Sequence, residues 1–391
     1  MTHSVEDVAG RAKLTTALRM PSNFLINEVP ARACAAAASV ADNAPPLGPL
    51  RAFSGTFAGR GFNVIFRPQN PSTPTQLDQP RPDSDNILEL NLTTETLAFP
   101  DPGDDHPLGA VPNRGAEQGD IFLGGVRYLQ AISDVTTDPA RPTPIHLEPG
   151  LWMIVAPTQH PSEAQPTVAR MASIPHGTTL NAVGTFIANH PGGPKIDPVD
   201  ITPFVTGNPA KRVHFDSQDI GTTAAARIPQ DLSRAPGITQ ELLDDPNSLL
   251  RNHISGLRIL STDVIIIDTK SAVPGGGISN IGFLLGDDAG PNAEAVEMSA
   301  TFWIETVQTQ IQVGPLKAGE VQEVSPEVPA GAPAPRFLAT ATAAIPDQRM
   351  VTVQHPQIQY TQNVSLNFKN LTWPHVSVAT LVPSKSIPVQ V

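Results

Sequence analysis

Between Asn86 and Phe99 apolar and polar residues alternate: Leu88, Leu90 and Leu92 fall on one side of an extended chain, Ile87, Glu89 and Asn91 on the other. Side chains of a strand point alternately to its two faces, so this stretch reads as a strand with one buried and one wet face. Short β-rich stretches recur at 53–68, 121–133, 144–157, 167–174 and 178–186, then at 263–268, 278–285, 295–308, 337–343, 351–360, 364–368 and 375–382. Pro-, Gly- and Asp-rich turns separate them, and Glu148-Pro-Gly between two apolar stretches reads as a hairpin connection. About ten or eleven strands, most joined sequentially, predict a mainly β fold: an up-and-down antiparallel β-barrel with long loops.

The segment from about 190 to 260 breaks this texture. Ile238–Asp245 carries an N-cap candidate at Thr239, and a second helix is predicted to begin at Pro246. We read the segment as a small, partly helical insertion. Residues 1–47 form an Ala-rich N-terminal extension expected to hold a short helix or two, 48–383 the barrel, 324–335 a Pro/Ala-rich linker within it, and 384–391 a C-terminal tail.

Two strands carry most of the chemical information. In Leu371–Pro383, Pro374 lacks a ladder N–H and is expected to set the start of the strand at His375. Alternation then places His375, Ser377, Ala379 and Leu381 on one face, with the imidazole at the strand's mouth. In Phe53–Pro68, Gly55, Gly59 and Gly61 leave every second place without a side chain or nearly so, the mark of a bulge, a bend or a close backbone approach.

Composition narrows the function. Only 16% of residues are charged against 40% apolar, and 42 prolines and 29 glycines punctuate the chain. A net charge of −12 with no Lys/Arg cluster excludes a nucleic-acid surface. No run of about 18 apolar residues is present to span a bilayer, and the N-terminus lacks the apolar core of a signal peptide. Cys34 is the single cysteine, so neither a disulfide framework nor a thiolate metal site is available. These features point to the cytoplasm.

Ten histidines contain no His-x-His or His-Glu-x-x-His spacing, which argues against a zinc site of adjacent ligands. His106, His160 and His190 sit beside prolines and read as solvated; His176, in Ile-Pro-His-Gly-Thr-Thr, sits in a turn where its ring would overhang a barrel mouth. Gly277-Ile-Ser279-Asn-Ile-Gly282 is one residue too long for a nucleophile elbow, and no phosphate-binding glycine loop is present. Trp152, Met153, Met171, Trp303 and Trp373 lie on strand segments and suit an apolar cavity. A barrel of about ten strands holds an apolar ligand in its interior, and an imidazole projecting into it is a natural fifth ligand for haem iron.

At this point two segments resemble one family. Gly55-Thr-Phe-Ala-Gly59-Arg-Gly61 is similar to the Gly-Thr-Trp-x-Gly-x-Gly opening of nitrobindin-type haem-binding β-barrels, with Phe57 in place of tryptophan, and Pro374-His375-Val-Ser-Val-Ala-Thr-Leu381 is similar to their closing Pro-His-Leu-x-Ala-x-Leu strand. The resemblance implies a ten-stranded, calycin-like barrel holding haem b. It assigns His375 as the proximal iron ligand and Thr56 with Gly55, Gly59 and Gly61 to the haem-side wall; Phe57, at the motif's tryptophan position, and the strand residues Trp152, Met153, Met171 and Trp373 are the further expected pocket residues. Ferric haem of that family is reported to bind nitric oxide and isomerise peroxynitrite; a peroxidase-like reaction is the related expectation, with His176 as the distal or rim group. A small-molecule or diatomic ligand is the expected partner, with a homodimer as the oligomer to test. Two other classes compete: a lipocalin-like carrier of an apolar molecule with His375 hydrogen-bonded at the rim, and a structural barrel filled by its own side chains.

Overall fold

Ten antiparallel strands follow one another round a closed barrel in chain order: β1 (Thr56–Pro68), β2 (Asn86–Ala98), β3 (Ile121–Asp134), β4 (Thr143–Val155), β5 (Thr167–Ile174), β6 (Thr178–Pro191), β7 (Arg258–Asp268), β8 (Glu294–Val313), β9 (Arg349–Phe368) and β10 (Leu371–Pro383). β10 pairs back onto β1, from Phe57 with Pro383 to Val64 with Val376. Closure leaves no unpaired barrel edge. The computed structural model describes residues 46–70, 75, 77, 84–100, 107–111, 119–157, 167–174, 177–222, 225–270, 275–282 and 292–391. The helices expected before residue 46, and His106, His160 and His176, lie outside the described residues.

The spaced glycines of β1 are explained at the seam. A Cβ on Gly59 would lie 2.0 Å from the carbonyl oxygen of Thr380, and one on Gly61 2.3 Å from that of Val378. Only glycine lets β1 press this closely on the strand that closes the barrel.

Three boundaries differ from the sequence reading. Glu148-Pro149-Gly150 makes no turn and stays within β4, Pro149 opposite Leu129. Pro149 lies one residue beyond the last pair with β5, Gly150 with Ala172, so its missing N–H removes no ladder bond there, and Gly150 makes room for the Tyr128 ring. The two stretches 351–360 and 364–368 are one strand, β9. β10 begins at Leu371 rather than His375: Pro374 pairs with Ser365 on one side, while on the other side residues 373–375 fall between the pairings to Phe204–Val205 and to β1. Pro374 is therefore tolerated inside the strand.

The insertion forms a second layer. Its helices α1 (Gln240–Asp244, capped by the Thr239 hydroxyl accepting from the Leu242 amide) and α2 (Asn247–Ile254) follow the expected signals. Phe62, Val64 and Phe66 of β1, Leu88 and Leu90 of β2, and Val376 and Val378 of β10 face away from the lumen yet are fully buried, in one core with Ile196, Ile201, Ile238, Leu242, Leu243 and Leu250 of the insertion. Polar contacts stitch the layers: the Gln359 amide donates to the Leu250 carbonyl at 3.0 Å, and His253 meets the Thr380 hydroxyl at 3.0 Å. The wet face expected for β2 is thus absent. Leu88, Leu90 and Leu92 point outward under the insertion, while Glu89, Asn91, Thr93 and Glu95 point into the barrel.

The expected C-terminal tail contributes a strand, Ile387–Gln390, which joins Phe337–Thr340 and Val321–Val324 in a small sheet over a separate apolar cluster of Ile311, Val313, Phe337 and Val353. Among the described residues no helix is long and apolar enough to cross a membrane.

Candidate functional site

One end of the lumen is filled by rings. Phe53 stacks on Phe99 at 4.7 Å and lies 5.5 Å from Trp152, which meets Phe302 edge-on at 5.1 Å; Phe302 stacks on Tyr360 at 5.3 Å. Beyond this plug a cavity of about 500 Å³ opens, in the range of ligand sites. Its walls are mixed. Ile65, Ile132, Leu180, Val364 and Leu366 supply apolar surface, while Asn63, Asn91, Gln130, Tyr360, Gln362 and His375 supply polar groups. The Arg67–Glu89 ion pair, 3.0 Å long and partly exposed, also lines it. A shallower depression of about 760 Å³ on the outside, near Met171 and Ser279, is lined by no titratable side chain.

His375 lines this cavity together with Ser377, which shares its face of β10. Its Nε2 lies 2.8 Å from Nδ2 of Asn63 on β1. The same Nδ2 donates to the Ser377 hydroxyl at 2.8 Å, and Oδ1 of Asn63 accepts from Asn91 at 3.3 Å. These partners orient the Asn63 amide with its nitrogen toward the imidazole. With the amide nitrogen turned to it, Nε2 takes the acceptor role in this contact.

Two buried networks underlie the cavity. In the first, Glu95 accepts from the Tyr360 hydroxyl at 2.6 Å, from Gln130 at 3.3 Å and from Thr93 at 3.1 Å. Burial raises its pKa from 4.5 to about 7 against the lowering effect of these bonds. In the second, Arg170 donates to the Tyr128 hydroxyl at 2.8 Å, to Oε1 of Gln362 at 2.7 Å and to Glu148, which also accepts from Tyr128 and lies 3.2 Å from His146. Burial pushes the Glu148 carboxyl up, but Arg170 and His146 outweigh it and hold the group down at about 2. Glu148 is an anion locked to its cation, whereas Glu95 is poised to hold or release a proton near neutrality.

The Glu95 shift has a sign that stability measurements detect. Above pH 4.5 the unfolded chain releases this proton while the folded chain keeps it up to about pH 7, so its contribution to stability falls as pH rises through that window and is flat beyond it. At about 1.4 kcal/mol per pH unit the fall amounts to about 3 kcal/mol. Glu95→Gln, measured against wild type by urea unfolding at several pH values, is expected to gain about this much between the bottom and the top of the window.

The other residues expected at a pocket fall elsewhere. Gly55 makes the left-handed turn before β1 (φ 73°), Thr56 opens the strand, Gly59 and Gly61 serve the seam, and Phe57 and Trp152 belong to the ring plug. Met153 and Met171 lie on the outward face of the barrel, Met171 exposed, because alternation from Trp152 and Arg170 turns them out. Trp373 packs at the rim, stacked on Phe368 at 4.4 Å and near Phe215 at 5.1 Å. His190 is exposed near the end of β6 rather than in a loop. Asn63, Asn91, Glu95, Gln130, Glu148, Arg170 and Tyr360 were not foreseen, although Glu89, Asn91, Thr93 and Glu95 share one face of β2. Among the described residues no group of three or more His, Cys, Asp or Glu side chains is arranged to hold a metal ion.

No protein-family model matches the sequence, and no curated protein matches it. Among solved structures, the crystal structure of Rv2717c from M. tuberculosis is similar at 12% identity and a TM-score of 0.33, with 88% of this chain and 100% of that chain covered.

Proposed function

We propose that the chain is a ligand-binding barrel, a carrier-type protein whose lumen takes a small organic molecule with an apolar body and at least one polar group. The observation that supports this reading is the cavity of about 500 Å³, apolar on Ile65, Ile132, Leu180 and Val364 and polar on a ring of buried amides around His375. Its volume suits a ligand of drug size or smaller, and its polar groups are few enough to orient one. His375 acts here as a hydrogen-bonded wall residue.

Haem b is the second reading of the same cavity, favoured by the inward direction of His375. An axial histidine has to offer a ring-nitrogen lone pair to the iron. The lone pair of Nε2 is already directed at Nδ2 of Asn63, 2.8 Å away, and Asn63 is itself held by Ser377 and Asn91. As held, these residues do not fit an iron porphyrin, and we derive no step through one. Native mass spectrometry of untreated protein, with haemin titrations of wild type and His375→Ala, separates the readings. A bound organic mass other than haem and identical Soret bands in both proteins are expected; a Soret shift lost in His375→Ala would overturn the carrier reading in favour of haem.

A further inference from the structure

The floor of the cavity contains a hydrogen bond that is able to run in either direction. Tyr360 lines the cavity and, with Glu95 ionised, spends its single O–H on Oε2 of Glu95 at 2.6 Å while its oxygen accepts from Gln130 at 3.0 Å. A proton on Glu95 changes this. The three groups around the carboxylate, Thr93, Gln130 and Tyr360, are donors in the ionised state, and of these only the two hydroxyls are able to turn and accept. Gly61 brings no side chain to this side, a Cβ there falling 2.8 Å from Oε1 of Glu95. When Glu95 donates to the Tyr360 oxygen, the Tyr360 O–H is released toward the lumen.

A second donor is already there. Gln362 occupies the next inward position of β9 and also lines the cavity. Its Oε1 is held by Arg170 at 2.7 Å, and since a guanidinium only donates, the amide NH₂ must be the end left for the cavity. Arg170 is committed to Glu148, Tyr128 and Gln362, and Arg67 to Glu89, so among the described residues the two arginines at this floor are paired, and Tyr360 and Gln362 are the neutral donors it turns to the lumen. That combination matches a neutral oxygen acceptor better than a carboxylate.

We propose that the floor is a proton-switched anchor for a neutral carbonyl-bearing ligand: protonation of Glu95 reverses its hydrogen bond with Tyr360, and the released Tyr360 hydroxyl binds the carbonyl oxygen beside the Gln362 amide. Binding then takes up one proton onto the Glu95 carboxylate, and no covalent bond changes. The inference rests on the lumen being a ligand site. The titratable and charged groups facing Glu95 are Tyr360 from β9 and His146 from β4, with Glu148 and Arg170 behind them. The upward shift that burial imposes on Glu95, to about 7, puts both protonation states within reach near neutral pH.

Calorimetric titration of the full chain with 2-nonanone and with 2-nonanol, across about pH 6 to 9, tests this. Wild type is expected to lose ketone affinity by about tenfold per pH unit on the alkaline side, the slope of one linked proton, while the alcohol, itself a donor, shows little slope. Glu95→Gln, whose amide donates permanently to Tyr360, is expected to bind the ketone with an affinity independent of pH; Tyr360→Phe, which keeps the ring, loses the slope and binds the ketone at least tenfold more weakly at pH 6. A slope that survives in Glu95→Gln would place the linked proton on another group and overturn the proposal, as would equal, pH-independent binding of both probes to wild type. Failure of both probes to bind at any pH would instead remove the lumen as a ligand site, and the switch with it.

Discussion

Arg170→Met is expected to destabilise the protein by about 3–5 kcal/mol, read from the shift of a urea unfolding midpoint at pH 7. The Arg170 side chain is 1% exposed and that of Glu148 fully buried, and the two form an ion pair inside the lumen. The guanidinium carbon also lies 5.4–5.6 Å from the ring centroids of Tyr128, Trp152 and Phe302. Methionine fills much of the same volume but leaves Glu148 as a buried anion with Tyr128 and His146 as its remaining partners. An uncompensated buried charge is what makes the loss large; the pair itself, weighed against its desolvation, adds far less. The double variant Arg170→Met with Glu148→Leu is therefore expected to recover most of the loss. A double variant as unstable as the single one would show that packing, rather than charge, is what Arg170 contributes.

How far this site was legible in the sequence depends on what each signal reports. Alternation is local, so the placing of His375, Ser377, Ala379 and Leu381 on one face followed from period-two reading of Leu371–Pro383. The glycines at 59 and 61 were legible for a similar reason: a missing side chain within a strand signals close approach, and the seam with β10 supplies it. Which face of a strand looks into the barrel is another matter. Leu88, Leu90 and Leu92 alternate with Glu89 and Asn91, and nothing within β2 says that a segment beginning a hundred residues later covers the leucines. Once that cover is in place, Glu89, Asn91, Thr93 and Glu95 are the lumenal residues, and the polar character of the cavity follows from a pattern first read as solvent-facing. Met153 and Met171 failed as pocket residues because residue type outweighed parity in choosing them; Trp152 and Arg170, their neighbours, hold the inward places.

The same inversion is open to a direct measurement. Phe66→Ala is expected to cost about 3–5 kcal/mol, the range for removing a buried ring from a core that only partly collapses. Phe66 points away from the lumen, and on a bare barrel wall its loss would be mild; here it is 0% exposed, with its ring centroid 6.0 Å from Phe215 of the insertion and 5.1 Å from Trp373. Met171, on the outward face of β5, is 39% exposed and serves as the contrasting position, where truncation to alanine is expected to stay within about 0.5 kcal/mol. Both values come from urea unfolding at one pH. If Phe66→Ala proved as mild as Met171→Ala, the insertion would be a loosely attached appendage. A large and unequal cost makes it the outer half of the wall, and explains why the polar residues of β1 and β2 are free to line the lumen: the apolar burial that holds these strands in place is supplied from outside the barrel.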